Sequence, residues 1–116
     1  MKVKRGDVVY LEKPFPKNHH IQGGNRPFVV ISNDAGNKFS EICLVTPLTL
    51  AKKKNLPTHG LLSYHHSTVL CEQIFTTAQS NIQKVVYHLP DSDMKKVDKC
   101  INVAIFKDEN ILRHKK

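Results

Sequence analysis

Acidic residues are nearly absent from the middle of the chain: between Pro14 and Lys54 only Asp34 and Glu41 occur. The first 90 residues hold eleven Lys and Arg against five Asp and Glu, a net of +6. The whole 116-residue chain stands at +8, with a pI of about 9.5. Such a balance points to a polyanion, most simply nucleic acid, or to an acidic protein partner. Solubility alone is the bland alternative, and charge does not separate RNA from DNA.

Other absences narrow the class further. Cys43, Cys71 and Cys100 are few, far apart and set in apolar runs, with no Cys-x-x-Cys spacing. Zinc and redox motifs are therefore not expected, and reduced, buried thiols in a cytoplasmic protein are. Seven histidines are present without His-x-His or His-Glu-x-x-His spacing, so no metal ligand set is expected. No run approaches the roughly 20 apolar residues of a membrane helix. Lys2, Lys4 and Arg5 are not followed by an apolar stretch, so no secretory leader is expected. There is no internal repeat and no low-complexity linker. Residues 1–116 are expected to form a single domain. With 40% hydrophobic residues the core is modest, which favours a site completed at a subunit interface.

What is present reads as strands first and a helix last. Val8–Leu11 is a first strand, entered after a Gly6-Asp7 turn. Arg26–Ser32 is a second, with a continuous apolar run from Phe28 that suits burial on both faces. Asn33–Lys38 is rich in turn formers and reads as a loop. Ile42–Thr49 is the next strand. Pro47 near its end implies a sheet edge or a bulge and leaves Thr49 beyond the regular ladder. A short strand follows Pro57-Thr58, then a longer one over Thr68–Thr76, then Val85–Leu89. Asp91 or Ser92 is the expected cap of a helix whose apolar stripe is Met94, Val97, Ile101, Ala104 and Ile105. Short strands with one terminal helix predict a mainly β, small curved barrel.

The candidate site follows from the second and third strands. Paired residues in an antiparallel hairpin have a constant index sum, and a fold-back centred between Asn37 and Lys38 opposes Arg26 to Thr49. A guanidinium would then meet a hydroxyl at the open end of the hairpin, an arrangement suited to a phosphate. Cutting RNA requires deprotonation of a 2'-hydroxyl, stabilisation of a phosphorane and protonation of the leaving 5'-oxygen. Arg26 can neutralise the added charge, and Thr49 can hold a non-bridging oxygen. Gly23 and Gly24 let backbone approach the phosphodiester. A salt bridge of Arg26 to Asp7 or Glu72, and an ordinary turn hydroxyl at Thr49, are the bland readings. His19, His20 and His59 flank basic loops and could supply imidazole acid–base chemistry, whereas His65, His66 and His114 read as plain exposed residues. Lys52, Lys53 and Lys54 read as a solvated loop or as a track for a phosphate backbone. Gln73 reads as a base-reading amide or a satisfied buried one, with Glu72 on the opposite face of the same strand.

At this point the chain resembles the MazF/PemK family, the toxins of type II toxin–antitoxin systems. The matching stretches, in order, are Lys4-Arg5-Gly6-Asp7-Val8, Gln22-Gly23-Gly24-Asn25-Arg26-Pro27, Val30-Ile31-Ser32-Asn33-Asp34, Val45-Thr46-Pro47-Leu48-Thr49, Leu56-Pro57-Thr58-His59 and Val69-Leu70-Cys71-Glu72-Gln73-Ile74. Met94–Asp98 fits the family's helix, so the likeness runs from Lys4 to about Ala104. The resemblance implies an SH3-like small barrel of the CcdB/MazF type with a C-terminal α-helix. It also implies a homodimer, no cofactor and no metal. The implied activity is a sequence-specific, metal-independent endoribonuclease acting on single-stranded mRNA, leaving 2',3'-cyclic phosphate and 5'-hydroxyl ends. It makes Arg26 and Thr49 the catalytic pair. His20, Gln22, Lys52, Lys53, His59 and Gln73 become RNA contacts, with Gly23, Gly24 and Glu72 as support. An acidic antitoxin covering the RNA groove is the implied protein partner. Two departures bear on RNA preference: Ile21 stands where many relatives have Glu, and Phe75 where a basic residue is common. The alternatives are a non-enzymatic gyrase-binding toxin on the same fold and a basic nucleic-acid-binding module.

Overall fold

A computed structural model describes residues 2–12, 26–51 and 56–106. In chain order these form β1 (Asp7–Leu11), β2 (Phe28–Val30), α1 (Asp34–Phe39), β3 (Ile42–Thr49), β4 (His59–Leu61), β5 (Thr68–Leu70), β6 (Phe75–Ala78), β7 (Ile82–His88) and α2 (Asp91–Ile105). The strand path is β4–β5–β3–β2–β1–β7, with β6 added against the first half of β3, and every pairing is antiparallel. The result is the mainly β, barrel-like architecture with a terminal helix that the sequence predicts.

Alternation along β1 and β2 builds two cores. Val8 and Val29 face α2 and join Leu48, Val69, Leu89, Met94 and Val97. Val9, Phe28 and Val30 face the other way and join Val3, Leu11, Val45 and Ile82. Period-two side chains buried on both faces explain why these strands read as unbroken apolar runs. Gly6 feeds β1 at φ +97, a conformation that favours glycine. There its N–H reaches Val30 O at 2.8 Å and its carbonyl accepts from Leu89 N at 2.9 Å.

The structure corrects several local readings. Asn33–Lys38 is not an open loop: Asp34–Phe39 is a short helix, capped by the Asn33 side chain, which accepts from Gly36 N at 2.7 Å. The cap of α2 is Pro90 rather than Asp91 or Ser92, and no side chain closes it. Cys100 joins the buried stripe of α2, whereas Ile105 is exposed.

Thr68–Thr76 is not one strand. β5 and β6 lie on the same edge of β3 but in different registers. Leu48–Val69 and Thr49–Thr68 sum to 117, while Val45–Phe75 and Leu44–Thr76 sum to 120. A 3-10 turn at Cys71–Gln73 absorbs those three residues. Pro47 sits at this change of partner, neither at a sheet edge nor in a bulge. Leu48 donates to Pro27 O on the β2 side, so alternation aims the missing Pro47 N–H at the opposite side, towards Leu70. The Thr46 hydroxyl donates to Leu70 O there at 2.7 Å, replacing the ladder bond that proline lacks. Thr49 therefore stays inside the ladder, paired with Thr68.

Candidate functional site

The β2–β3 register decides where Arg26 falls. Phe28–Pro47, Val29–Thr46 and Val30–Val45 all sum to 75. The bond from Leu48 N to Pro27 O at 2.9 Å carries that register one step further. Arg26 precedes β2 by two residues, and the same index sum carried one step beyond Pro27 would set it against Thr49. Arg26 is half-buried ahead of β2, and Thr49 ends β3 at 5% exposure. The Thr49 hydroxyl accepts from Ala51 N at 3.1 Å, which orients its oxygen and leaves its proton to donate elsewhere. Asp7 is engaged by Lys4 N and His88, and Glu72 by His59.

Thr49 borders a hollow of about 550 Å³ shared with Tyr10, Pro27, Tyr64, His65 and His66. His65 and His66 sit at φ 50 and 52 in the β4–β5 turn, a strained conformation for residues with a Cβ. The Tyr64 ring lies 4.4 Å from His65 and is stacked 4.9 Å from Tyr87. The buried Ser67 hydroxyl in the same turn has no hydrogen-bond partner among the described residues. His65 and His66 are exposed, as expected from the sequence, and they also rim this hollow. Only the β3–β5–β4 pairing brings that turn to Thr49, and no local motif announces it.

His59 and Glu72 form a second group. β4–β5 pairing sets His59 opposite Leu70, beside the 3-10 turn that carries Glu72 and Gln73. His59 Nε2 and Glu72 Oε2 are 2.8 Å apart. Burial pushes the Glu72 carboxyl up, but bonds from His59, the turn backbone and Thr58, with the charge of His59, outweigh it and leave the group below its ordinary value. Glu72 and Gln73 do not face opposite sides of a strand, because they lie in the turn. Along β5 this group stands two residues from the Thr49 row, roughly 7 Å away. Phe75 packs edge-on to Phe28 at 5.5 Å, so its ring supports the core. His20, Gln22, Gly23, Gly24, Lys52 and Lys53 lie outside the described residues. Among the described residues no three His, Cys, Asp or Glu side chains converge as a metal ion requires, and no helix is long and apolar enough to cross a membrane.

Comparison with known proteins adds the family. Residues 4–105 match the profile described as the PemK-like, MazF-like toxin of type II toxin–antitoxin systems. Endoribonuclease EndoA of Bacillus subtilis (strain 168) is 37% identical over 112 residues, covering 90% of this chain and 96% of that protein. Among solved structures, a mycobacterial endoribonuclease in complex with its cognate antitoxin superposes with a TM-score of 0.75 at 17% identity, covering 91% of this chain and 97% of that one. A MazE–MazF structure from Deinococcus radiodurans gives 0.72 at 21% identity, covering 93% and 99%. At those identities the structural likenesses carry the fold.

Proposed function

We propose that this chain, which belongs to the PemK-like, MazF-like toxin family of type II toxin–antitoxin systems, is a metal-independent endoribonuclease acting on single-stranded mRNA. The observation that supports the reading is the β2–β3 register, whose index sum of 75 would set Arg26 against Thr49 if carried past Pro27, with Pro27 and Thr49 both bordering an open hollow. The 2'-hydroxyl gives up its proton as its oxygen attacks phosphorus, the bond to the 5'-oxygen breaks, and that oxygen takes up a proton, so none is gained or lost overall. The products carry a 2',3'-cyclic phosphate and a 5'-hydroxyl. Arg26 neutralises the phosphorane and donates toward the leaving oxygen. Thr49 holds the scissile phosphate through its hydroxyl proton. His20, Gln22, Lys52, Lys53, His59 and Gln73 contact the RNA, with Gly23, Gly24 and Glu72 supporting the site.

Residues 1–116 act as one domain in the cytoplasm. The net charge of +8 suits both RNA and an acidic antitoxin. Exposed Val85, Val86 and Tyr87 on β7, and Ile105 and Phe106 at the end of α2, offer apolar surface to a second copy of the chain.

The test is incubation of wild-type and Arg26→Ala protein with a long single-stranded RNA in EDTA, with the product ends mapped. We expect discrete wild-type cuts with cyclic-phosphate ends. In the variant we expect a rate lower by about 10²–10³, the typical cost of one preorganised donor. Equal cleavage by Arg26→Ala would remove Arg26 from the site. Intact RNA with both proteins would return the choice to a gyrase-binding toxin or a plain nucleic-acid-binding module.

A further inference from the structure

Two of the three thiols meet where α2 packs on the Cys71–Gln73 turn. Cys71 and Cys100 belong to the same buried cluster, at 1% and 6% exposure. The Cys71 thiol donates to Val97 O on α2 at 3.9 Å, one helical turn before Cys100, and the two thiols influence each other's ionisation. Cys100 alone of the pair also lines a cavity, of about 410 Å³, with Pro57, His59, Gly60, Lys96 and Lys99. Gly60 keeps that cavity in contact with the sulfur, since a Cβ there would stand 2.9 Å from Cys100 Sγ.

The surrounding charge is mixed but asymmetric. His59 comes from β4, Lys96 and Lys99 from α2, Glu72 from the turn, and Asp98, on α2 and paired with Arg5, acts on Cys71. The hydrogen bond from Cys71 lowers the Cys100 thiol most; burial opposes it, His59 and Lys99 lower it further, and the net value is about 7. Cys71 is raised, first by that same bond and then by burial. Of the two, Cys100, which lines the cavity, is the thiol that ionises more readily. Cys43 lies in the other core, and burial raises it.

We propose that Cys100 is a site of oxidation by hydroperoxides and that Cys71 resolves it, closing an internal disulfide between α2 and the Cys71–Gln73 turn. The Cys100 thiolate attacks one peroxide oxygen. An S–O bond forms, the O–O bond breaks, sulfur is oxidised by two electrons, and the departing hydroxide becomes water. The Cys71 sulfur then attacks the Cys100 sulfenic acid. An S–S bond forms, the S–O bond breaks, and the Cys71 proton leaves with that oxygen as water. The product ties the turn bearing Glu72 and Gln73 to the terminal helix. This chemistry stands whether or not the chain cuts RNA.

The experiment treats the folded protein with hydrogen peroxide and maps the thiols by mass spectrometry, with circular dichroism confirming the fold. We expect a Cys71–Cys100 linked peptide, Cys43 still reduced, and a rate that rises with pH through about 7, the Cys100 value. In Cys71→Ser a sulfenic acid should persist on Cys100 and be captured by a dimedone-type probe. Should that variant fail to fold, the wild-type peptide map and pH profile still decide. Three reduced thiols after treatment, a Cys100 that reacts no faster than Cys43, or a flat pH profile would each overturn the proposal.

Discussion

Buried polar residues show how much one side chain can hold. Gln79 is 3% exposed. Its carbonyl accepts from Val3 N at 3.1 Å, and its amide donates to Asn37 O at 2.8 Å, Ser40 O at 3.0 Å and Ile42 O at 3.3 Å. One residue thus ties the N-terminal segment to α1 and the start of β3. Gln79→Leu keeps the volume and leaves backbone groups unpaired, so we expect a loss of about 1–3 kcal/mol. The urea midpoint should fall with an unchanged slope; an unmoved midpoint would show that water replaces the amide. Nothing in the sequence marks Gln79, because its partners lie about forty to seventy-six positions away. Asp93 was equally hidden: it is buried and binds Ser63 rather than closing its own helix. The register of β2 on β3 was legible, because a hairpin turns register into arithmetic.

Elements were legible where periodicity was simple and opaque where one strand changes partners. β1, β3 and α2 follow from apolar spacing. The break between β5 and β6 does not, since it answers a three-residue register difference along β3. Thr46 is the residue that makes this tolerable. Thr46→Val deletes the donor to Leu70 O and leaves a buried carbonyl unpaired, for an expected loss of about 1–3 kcal/mol. A variant as stable as wild type would mean that the Pro47 gap needs no donor. The neighbouring turn gives a pH signature. Glu72 is held below its ordinary 4.5 in the folded state. Its ionised form therefore stabilises the fold above that value, and the contribution is lost as pH falls through the lower folded-state value. Glu72→Gln should lose stability near neutrality and show a shallower acid decline than wild type in chemical denaturation. Parallel declines would assign the acid sensitivity to other carboxylates.

At the scale of the whole molecule charge dominates, and it is legible without any structure. A net +8 is not spread evenly, because only Asp34 and Glu41 interrupt the basic stretch between Pro14 and Lys54. If Lys52 and Lys53 track an RNA backbone, their contribution is counterion release, and salt must reveal it. For single strands the slope of log affinity against log salt is about −0.7 per phosphate neutralised. Adding Lys52→Ala and Lys53→Ala to the slowly cleaving Arg26→Ala protein should make that slope shallower by about 1.4. Binding should weaken alike for every RNA sequence, since phosphate contacts carry no sequence information. Fluorescence anisotropy over a salt series separates the cases. An unchanged slope with unchanged affinity would leave the triple-lysine segment a solvated loop. A change confined to one RNA sequence would instead place those lysines on base edges, and the basic stretch would then belong to specificity rather than to capture.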